Sequence, residues 1–342
     1  MAIYTSAGTP GAASPAAGTY AADHKFYERK FLEILQPAQL YDKWGDSRSI
    51  GPNSSNTIVV KKISEFTEDV AAVTLTEGTV PSELAAVSLT RTEKSVSQYG
   101  GYITTSDRFE EEGLDGTKLE LTKRMGQHGS KIMNRVRRDG LLGGSSERFQ
   151  NGVADQDSIT AALTSGNVAT DLDFILTDFR NNFVNEFYPM TSGSPNEGTT
   201  PIPGGYVVIV PVAAIDTIRG HTDFDEVETY GGQVTLLHKN EFGRYRNFRF
   251  IYDTEVKTVT NGAGTPQTIA QCLIFGQGDM DKAYVTVDLA GGNMQMISKP
   301  LGSAGSADPL NQIASLGWKA KQATFIIQDD YMFRWEISLG DA

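Results

Sequence analysis

The stretch from Lys299 to Lys319 constrains the fold more than any other part of the sequence. It contains two prolines, three glycines and a run of short polar residues, and it leads directly into a strand-like sequence. Such a composition is typical of a loop with demanding backbone geometry rather than of a linker. The stretch holds no set of side chains arranged as nucleophile and base or as metal ligands, so we expect a surface made for contact. The candidate residues are Pro300, Gly302, Asp308, Pro309, Asn311 and Trp318.

The composition is that of a globular protein and excludes several classes. The 342 residues carry a formal net charge of -12, which is the wrong sign for a protein whose main task is gripping phosphate backbones. The single cysteine, Cys272, lies among apolar neighbours and predicts a buried thiol, so no disulfide can form within the chain. No apolar segment approaches the roughly 20 residues that span a bilayer. We therefore expect a protein of an aqueous, reducing compartment, without membrane contact.

Residues 56–103 read as extended strands, at 57–63, 73–75 and 87–99. The last of these is polar on most positions of both faces, and an isolated two-stranded ribbon is marginal in water. The sequence therefore predicts that this ribbon leans on another subunit; the alternative is an exposed edge hairpin of a larger sheet. The turn-rich tip between the strands gives the candidate contact residues Thr76, Glu77, Gly78, Val80, Pro81 and Glu83.

The longest helical pattern runs from Thr117 to Asp139 and is expected to stop at Gly140. Gly126 and Gly129 are unfavourable inside a helix and indicate close approach of another element. Counting residues 117–140 gives seven basic and two acidic side chains, a local charge of +5. Basic residues crowd the carboxyl end, where they complement the helix dipole. The predicted apolar stripe consists of Leu121, Met125, Ile132 and Val136.

The remainder of the chain alternates helices and strands, so the fold class is α+β. Residues 1–22 read as a mobile arm, followed by a short amphipathic helix that Pro37 ends. A second helix is expected to begin with a cap at 170–173 and to end at Pro189. Further elements are predicted as a strand at 206–210, a helix from Pro211 to Gly220, strands at 248–252 and 269–275 joined across Asn261–Gly262, a strand at 284–288, and final strands at 320–327 and 331–337.

Catalytic motifs receive no support from the sequence. None of the four histidines has zinc-ligand spacing, and no phosphate-binding loop or nucleophile elbow occurs. Gly276 and Gly278 lack the third glycine of a dinucleotide fingerprint. The group His221, Asp223, Asp225 and Glu226 is more typical of a solvated acidic turn than of a metal site. We predict no enzyme activity and no cofactor; a metal-dependent enzyme using this group is the third and weakest class.

With these elements placed, the chain resembles the major capsid proteins of tailed bacteriophages, which have the Hong Kong 97 type of fold. The resemblance rests on Phe31-Leu-Glu-Ile-Leu-Gln-Pro37 and on Leu75-Thr-Glu-Gly78 with Gln98-Tyr-Gly-Gly-Tyr102. It rests most strongly on Lys299-Pro-Leu-Gly-Ser-Ala-Gly-Ser-Ala-Asp-Pro-Leu-Asn-Gln312 followed by Gly317-Trp-Lys319. In the order of its elements, the likeness covers nearly the whole chain after residue 22.

The resemblance implies an N-terminal arm (1–55), an extended β-hairpin loop (56–104), a peripheral domain with a long spine helix (105–157), an axial domain with a central mixed sheet (158–290) and a return to the peripheral domain (291–342). It implies hexamers and pentamers of an icosahedral virion capsid that encloses double-stranded DNA and is assembled in the host cytoplasm. The extended loop would lie across a neighbouring subunit. Portal, scaffold and decoration proteins are the other partners that it implies.

Three questions stay open at this point. The runner-up class is another self-assembling structural protein, an encapsulin-like compartment shell or a tail-tube protein. The loop at 299–319 could contact another copy or brace the junction between the axial and peripheral domains, and its prolines and Trp318 favour the brace. The basic spine residues Lys131, Arg135 and Arg138 could face the packaged genome through weak, non-specific contact, although dipole complementation alone also accounts for their charge.

Overall fold

The structure is a computed structural model that describes residues 40–51, 55–63, 70–80, 88–107, 117–187, 204–227, 236, 238–279, 281–289, 294–300, 302–303 and 309–341. The strands are β1 (Asp46–Ile50), β2 (Thr57–Ile63), β3 (Leu89–Ser95), β4 (Ser97–Ser106), β5 (Glu147–Phe149), β6 (Tyr206–Pro211), β7 (Phe224–Glu226), β8 (Glu241–Tyr245), β9 (Phe248–Asp253), β10 (Lys257–Thr260), β11 (Gln267–Phe275), β12 (Tyr284–Leu289), β13 (Gln295–Lys299), β14 (Ile313–Ile326) and β15 (Met332–Asp341). The α-helices are α1 (Val70–Val73), α2 (Thr117–Leu141), α3 (Ser165–Asn181) and α4 (Ile215–Arg219).

A five-stranded sheet is built on β14, which pairs with three other strands. On one side β14 pairs antiparallel with β4 over ten positions, from Ile313↔Ser106 to Gln322↔Ser97. On the other side it pairs first with β13 and then, from Gln322 onwards, with β12. The strand β1 extends the sheet by pairing parallel with β12. The sequence gathered in this sheet therefore comes from the beginning, middle and end of the chain.

Helix α2 packs on one face of this sheet, over a cluster that contains Met125, Met294 and Trp318. Gly129 permits the approach, because a Cβ there would lie 2.5 Å from the Met294 sulfur. The helix continues through Gly140, where it was predicted to stop, and ends at Leu141. A Cβ at Gly140 would lie 2.8 Å from the backbone oxygen of Thr324, so this glycine is needed for packing and not for termination.

The buried face of α2 differs from the predicted apolar stripe. Of that stripe only Met125 is fully buried, whereas Leu121, Ile132 and Val136 are half-buried. The face against the sheet is instead made of small and polar residues with two methionines: Thr122, Met125, Gly126, Gly129, Ser130, Met133, Asn134 and Arg137. Helix α2 and the sheet therefore make contact through a close approach of their backbones and not through large apolar side chains.

The second and larger sheet has eight strands in the order β5-β15-β11-β6-β9-β8-β7, with β10 paired to β11. Strand β6 is buried at every position, as its unbroken apolar run predicts. Helix α3 covers this sheet with Leu172, Ile175 and Phe179, all completely buried. The largest continuous apolar core of the described chain lies here.

Helix α3 corrects the prediction of a cap at 170–173 and an end at Pro189. Its N-cap is Thr164, whose side chain accepts a hydrogen bond from the Asn167 backbone N–H. Asp171 lies inside the helix, where its carboxylate accepts hydrogen bonds from the backbone N–H of Asn151 and from the Trp335 indole. The residue expected to cap the helix therefore makes tertiary contacts instead. The chain leaves the helix after Asn181, and Phe183 adopts a left-handed backbone with φ 53°.

Three strand predictions are also corrected. Residues 70–73 form the short helix α1, which replaces the beginning of the strand expected at 73–75. The Asn261–Gly262 hairpin joins β10 to β11, because the largely buried β9 is already paired on both sides, with β6 and β8. The final two strands are longer than predicted and lie in different sheets, β14 in the five-stranded and β15 in the eight-stranded one.

Each sheet contains strands from more than one of the ranges expected for the domains. Strand β12, in the range expected for the axial domain, belongs to the five-stranded sheet, and β15, expected to return to the peripheral domain, belongs to the eight-stranded sheet with β5. The exact domain ranges stay a prediction, whereas the two-sheet α+β architecture is observed.

Candidate functional site

The ribbon, by which we mean residues 57–63, 70–80 and 89–95, is the most exposed part of the described chain. Its strands β2 and β3 pair antiparallel over seven positions, from Thr57↔Ser95 to Ile63↔Leu89. They form a two-stranded sheet of their own, so the alternative of an edge hairpin in a larger sheet is wrong for these strands.

The base of the ribbon is held by the same chain. Ile58 and Val60 are half-buried against a cluster that includes Val285 and Phe325 of the five-stranded sheet. The Lys62 ammonium donates a hydrogen bond of 2.6 Å to the side-chain oxygen of Gln328. The ribbon therefore has a fixed origin on the body, and its support by another subunit remains a prediction for the part beyond this base.

Beyond the base, the ribbon exposes large apolar side chains. Val80 is 90% exposed, and six other residues of the ribbon also present apolar surface to solvent: Val59, Ile63, Val70, Val73, Leu75 and Leu89. Several exposed apolar side chains on one segment favour an interaction surface over a purely structural role. Among the described residues, nothing covers these side chains of the ribbon.

The tip of the ribbon has a defined turn. The Thr79 backbone N–H donates to the Thr76 carbonyl oxygen at 3.2 Å, and Gly78 has φ +82°, a conformation that favours glycine. Glu77 and Val80 on this turn are exposed. Of the predicted contact residues, Thr76, Glu77, Gly78 and Val80 thus lie together, whereas Pro81 and Glu83 lie outside the described residues.

A second surface, the sheet groove, lies on the face of the five-stranded sheet opposite α2. It is an open groove of about 500 Å³ lined by Gln98, Tyr99, Gly100, Gly101, Tyr102, Ile297, Lys299, Ser315, Gly317, Trp318 and Lys319. Met296 and Trp318 point towards α2, so the neighbouring Ile297 and Gly317 point to the opposite face by strand alternation.

One row of residues shapes this groove. Gly317 pairs with Tyr102 on one side and with Ile297 on the other, so a glycine separates two exposed apolar side chains. Tyr102 is 75% exposed. A Cβ at position 317 would lie 2.9 Å from the Cβ of Tyr102, so only glycine leaves this notch open.

The charges of the two surfaces are complementary. Lys299 and Lys319 line the sheet groove, and its lining contains no acidic residue. The described part of the ribbon tip, residues 74–80, carries Glu77 and no basic side chain. An acidic, apolar tip and a basic groove with an apolar notch fit each other in chemistry.

The loop that begins at Lys299 joins β13 to β14 within the five-stranded sheet. Gly302 and Asn311 both adopt positive φ, 79° and 54°, which confirms the demanding geometry expected from the sequence. Pro309 is exposed, and Pro300 begins a turn in which its carbonyl oxygen accepts from the Ser303 N–H at 3.2 Å. The loop connects neighbouring strands of one sheet, and the contact and brace alternatives both stay predictions. Asp308 lies outside the described residues.

Trp318, the last candidate of this loop, lies in β14 and is buried against α2. Its indole N–H donates a hydrogen bond of 3.1 Å to Nδ1 of His128 on the helix. This contact fixes the helix on the sheet that carries the groove, so Trp318 supports the surface from beneath.

The basic spine residues do not act as one charged face. Arg135 forms an ion pair with Glu255, and Arg138 is buried, where it binds Asp139 and the backbone oxygen of Glu255. Arg138 thus does not fit the expectation of a genome-facing residue. Lys131 is exposed. Unlike Arg135 and Arg138, it has no ion pair or hydrogen bond of its side chain among the described interactions.

The acidic group near His221 is occupied by local interactions. The His221 Nδ1 atom accepts from the Asp223 N–H at 3.1 Å, and Asp225 pairs with Arg244 at 3.0 Å. No group of three potential metal-ligating residues was found in the described parts of the chain. Cys272 is fully buried, as predicted, and burial raises the pKa of its thiol. None of the described helices is both long and apolar enough to cross a membrane.

Sequence reasoning missed the sheet groove, because its lining comes from three separate strands. Two signals were present in the sequence: Gly317 interrupts a strand, and the pair Gly100–Gly101 interrupts another. Glycine inside a strand often marks a place where another backbone or a ligand approaches closely.

No family model and no curated protein matches this chain. Solved structures do: the capsid of Ralstonia phage GP4 is similar with a TM-score of 0.62 at 10% identity, covering 86% of this chain and 87% of that one. The capsid of cyanophage P-SCSP1u gives 0.58 at 12% identity, covering 87% of each chain. A virus-like particle from Pyrococcus furiosus gives 0.50 at 11% identity, covering 91% of this chain and 98% of that one.

These likenesses extend over most of both chains although the sequences have diverged almost completely. They show that the chain has the Hong Kong 97 type of capsid fold. The fold class expected from the sequence is therefore confirmed.

Proposed function

We propose that this chain, which has the Hong Kong 97 type of capsid fold, is a major capsid protein that assembles with copies of itself into a closed icosahedral shell. Hexamers and pentamers of the chain enclose double-stranded DNA in the virion, after assembly in the host cytoplasm. The observation that carries the proposal is the ribbon, whose apolar side chains and exposed tip are left uncovered by the described chain. The shared fold with phage capsids supports the same conclusion.

Within this proposal, the ribbon tip of one copy lies in the sheet groove of its neighbour. The tip contributes Thr76, Glu77, Gly78 and Val80, continued by Pro81 and Glu83 in the sequence. Val80 fits the notch between Tyr102 and Ile297, and Glu77 is near Lys299 or Lys319. The loop with Pro309 and Asn311 lies at the end of the same sheet and extends the contact surface.

Assembly by such contacts is cooperative. A tip and a groove of this size bury too little area for a stable dimer on their own. In a closed ring each subunit gives one tip and receives another, so each contact raises the effective concentration for the next. The mechanism is association, with no chemical step.

The proposal is tested by shortening the ribbon. Replacing Val73 to Leu89 by a short turn removes the tip and leaves both sheets of the body intact. We expect folded, soluble subunits with an unchanged thermal unfolding temperature that form no shells by electron microscopy. Intact shells from this variant would overturn the proposal.

A charge exchange tests the contact itself. Glu77→Lys and Lys319→Glu should each weaken assembly, and the double variant should restore part of it, because the pair is re-formed with opposite sign. Glu226→Lys, which changes an exposed acidic residue of the eight-stranded sheet, is the matched control and should assemble like the unaltered chain. If this double variant and the corresponding double variant of Glu77→Lys with Lys299→Glu both assemble no better than the worse single variant, the tip does not contact this groove.

The second candidate function is a compartment shell that encloses protein cargo. It is favoured by the likeness to the Pyrococcus furiosus virus-like particle, 98% of whose chain is covered. Purified particles distinguish the two: nuclease-protected DNA supports the virion capsid, and co-purified protein cargo supports the compartment. Tubes in place of shells would indicate the tail-tube class.

Further contacts follow from the virion proposal. Portal, scaffold and decoration proteins would bind the assembled surfaces, and packaged DNA would touch the inner side weakly. For DNA contact Lys131 is the best candidate of the spine residues, because Arg135 and Arg138 are held by internal partners. Lys131→Gln should lower the DNA content of filled shells slightly; an unchanged content would remove this role.

A further inference from the structure

Strand β4 (Ser97–Ser106) forms one edge of the five-stranded sheet. It pairs with β14 on one side, and no other described strand pairs with it. Its register with β14 runs without a bulge from Ser97 to Ser106. Backbone N–H and C=O groups of an edge strand that point away from its partner strand can pair with another chain. The stretch from Gln98 to Thr104 therefore presents a straight row of backbone donors and acceptors.

The composition of β4 differs from that of the other described edge strands. Edge strands usually carry charged side chains, prolines or bulges that prevent pairing with another chain. At least one charged residue is present in each of the other described edge strands: β1, β2, β3, β5, β7, β10 and β13. Strand β4 has no charged residue and no proline, although it is the longest of these strands. The usual protection against pairing is thus missing at β4.

The sequence of β4 also suits pairing with a second copy of itself. In an antiparallel pair centred on Gly101, Gly100 of each copy lies directly opposite Tyr102 of the other, on the same face. Tyr102 is 75% exposed, and an aromatic side chain packs favourably over a glycine of an edge strand. Because β4 is uncharged, no like charges of this strand meet across the pair. The strand is therefore complementary to itself in shape and in charge.

The position of α2 leaves room for such a pair. The helix follows β14, with Gly129 next to Trp318 and Gly140 next to Thr324. Both copies of β4 would lie between the two copies of β14, so the two helices would be three strand spacings apart, roughly 14 Å. A helix with its side chains has a diameter of about 10–12 Å. The two copies of α2 can thus lie side by side on one continuous sheet.

We propose that β4 pairs edge to edge with β4 of a second copy of this chain, antiparallel, with Gln98 of one copy opposite Thr104 of the other. The contact has two-fold symmetry, because each copy contributes the same residues. One strand edge buries less than the roughly 1,200 Å² of a stable complex, so the pair is weak between free chains. It forms without the ribbon and does not depend on the sheet groove.

One consequence of this pairing rests on the proposed function. A tip that lies in the groove of the next copy is a head-to-tail contact, which closes into a ring. A two-fold contact cannot continue around such a ring and joins copies of two different rings. Within the proposed shell, β4 therefore connects hexamers and pentamers to one another.

Cysteine cross-linking of the full chain tests the pairing and its register. Cys272 is buried, so a cysteine introduced at the surface has no exposed thiol of the natural sequence to react with. Gln98 and Thr104 are exposed, and directly opposite residues have Cα atoms about 4.5–5.5 Å apart, which suits a disulfide. Two copies of Gln98 would lie roughly 20 Å apart in this register. Under mild oxidation, a mixture of Gln98→Cys and Thr104→Cys chains should give several-fold more disulfide-linked dimer than either variant alone, on non-reducing gels.

A matched control uses another edge strand. Thr258 is exposed on β10, and a mixture of Thr258→Cys with Thr104→Cys should give no more dimer than the single variants. Equal dimer yields in the two mixtures, or a mixture of Gln98→Cys and Thr104→Cys that gives no more dimer than its single variants, would overturn the pairing. The latter result would also be obtained if β4 bound a different strand or a different protein.

The cross-linking is done at concentrations too low for shells to form and is repeated in chains that carry Glu77→Lys. That substitution weakens the proposed contact between tip and groove and leaves β4 unaltered, so the yield of cross-linked dimer should not change. Failure of the tip contact and failure of the β4 pairing are therefore separate outcomes.

Discussion

The eight-stranded sheet and the ribbon differ in how far their apolar side chains are buried. In the sheet, β6 is buried at all six positions, and α3 covers it with completely buried side chains. In the ribbon, every residue of β3 is exposed, and Val80 at the tip is among the most exposed apolar residues of the described chain. The sheet is covered by apolar side chains of its own chain, whereas among the described residues only the base of the ribbon packs against the body.

This difference distinguishes residues that stabilise the folded monomer from residues that contribute little to its stability. Residues of the sheet determine whether the chain folds, since each buried side chain lowers the free energy of the folded monomer. Residues of the ribbon beyond its base are largely exposed and contribute little to the stability of the monomer. Substitutions in the buried sheet should therefore lower the free energy of unfolding more than substitutions in the ribbon.

Trp335→Ala should have the largest effect. Trp335 is completely buried in the eight-stranded sheet, and its indole N–H donates to Asp171 at 3.1 Å. Loss of the ring leaves a cavity and removes one of the hydrogen bonds to the buried Asp171 carboxylate, so the free energy of unfolding should fall by about 3–5 kcal/mol in urea denaturation. A fall below about 1 kcal/mol would mean that the sheet does not dominate stability in the way its burial indicates.

Gly140→Ala tests the contact between α2 and the five-stranded sheet. Alanine favours a helix by about 1 kcal/mol over glycine. The added Cβ, however, would press on the backbone oxygen of Thr324, and backbone cannot move aside as a flexible side chain can. We expect a net loss of about 1–3 kcal/mol in the same assay. Gly143→Ala, where a Cβ meets nothing within 4 Å, is the control and should change stability little.

Phe183→Asn should stabilise the monomer. Phe183 is 88% exposed and has φ 53°, a backbone conformation that asparagine adopts at lower cost than phenylalanine. Relief of this strain should raise the free energy of unfolding by about 1 kcal/mol, because little packing is lost. Phe183→Leu keeps the strain and should be neutral. A destabilised Phe183→Asn variant would show that the aromatic ring makes a contact that its exposure conceals.

Leu75→Ser should have the smallest effect on the monomer. Leu75 is exposed on the ribbon, so we expect a change of at most about 0.5 kcal/mol in the free energy of unfolding. Under the proposed function, the yield of shells should nevertheless fall, as measured by sedimentation. If shells form normally and the monomer loses more than about 1 kcal/mol, Leu75 belongs to the fold of the body and the separation between ribbon and sheet fails.

Much of the eight-stranded sheet could be predicted from the sequence, because its signals are local. The apolar run of β6 and the helix terminator at Gly220 both lie where the sequence places them. The start of α3 could not be predicted in this way. A carboxylate at Asp171 has the same appearance in a sequence whether it caps a helix or binds the distant Trp335.

Pairing between strands was harder to predict for a physical reason. The sequence neighbours β14 and β15 part into different sheets, and the sheet groove forms where residues near 100, 297 and 317 meet. Such contacts depend on tertiary packing and leave no periodic pattern. The fold as a whole was expected from resemblance, and the likeness to solved capsids confirmed it; the contact residues of the tip and loop stay predictions.

The pairing of β14 also has a mechanical consequence. The ribbon continues through Val96 into β4, and β4 is joined to β14 in register over ten positions. A pull on the ribbon along the direction of β4 would load these hydrogen bonds in shear, all at once, and not one after another as in peeling. On its other edge β14 passes the load to β12, and β12 passes it to β1. Internal pressure on a closed lattice of such chains would be carried as tension along backbones.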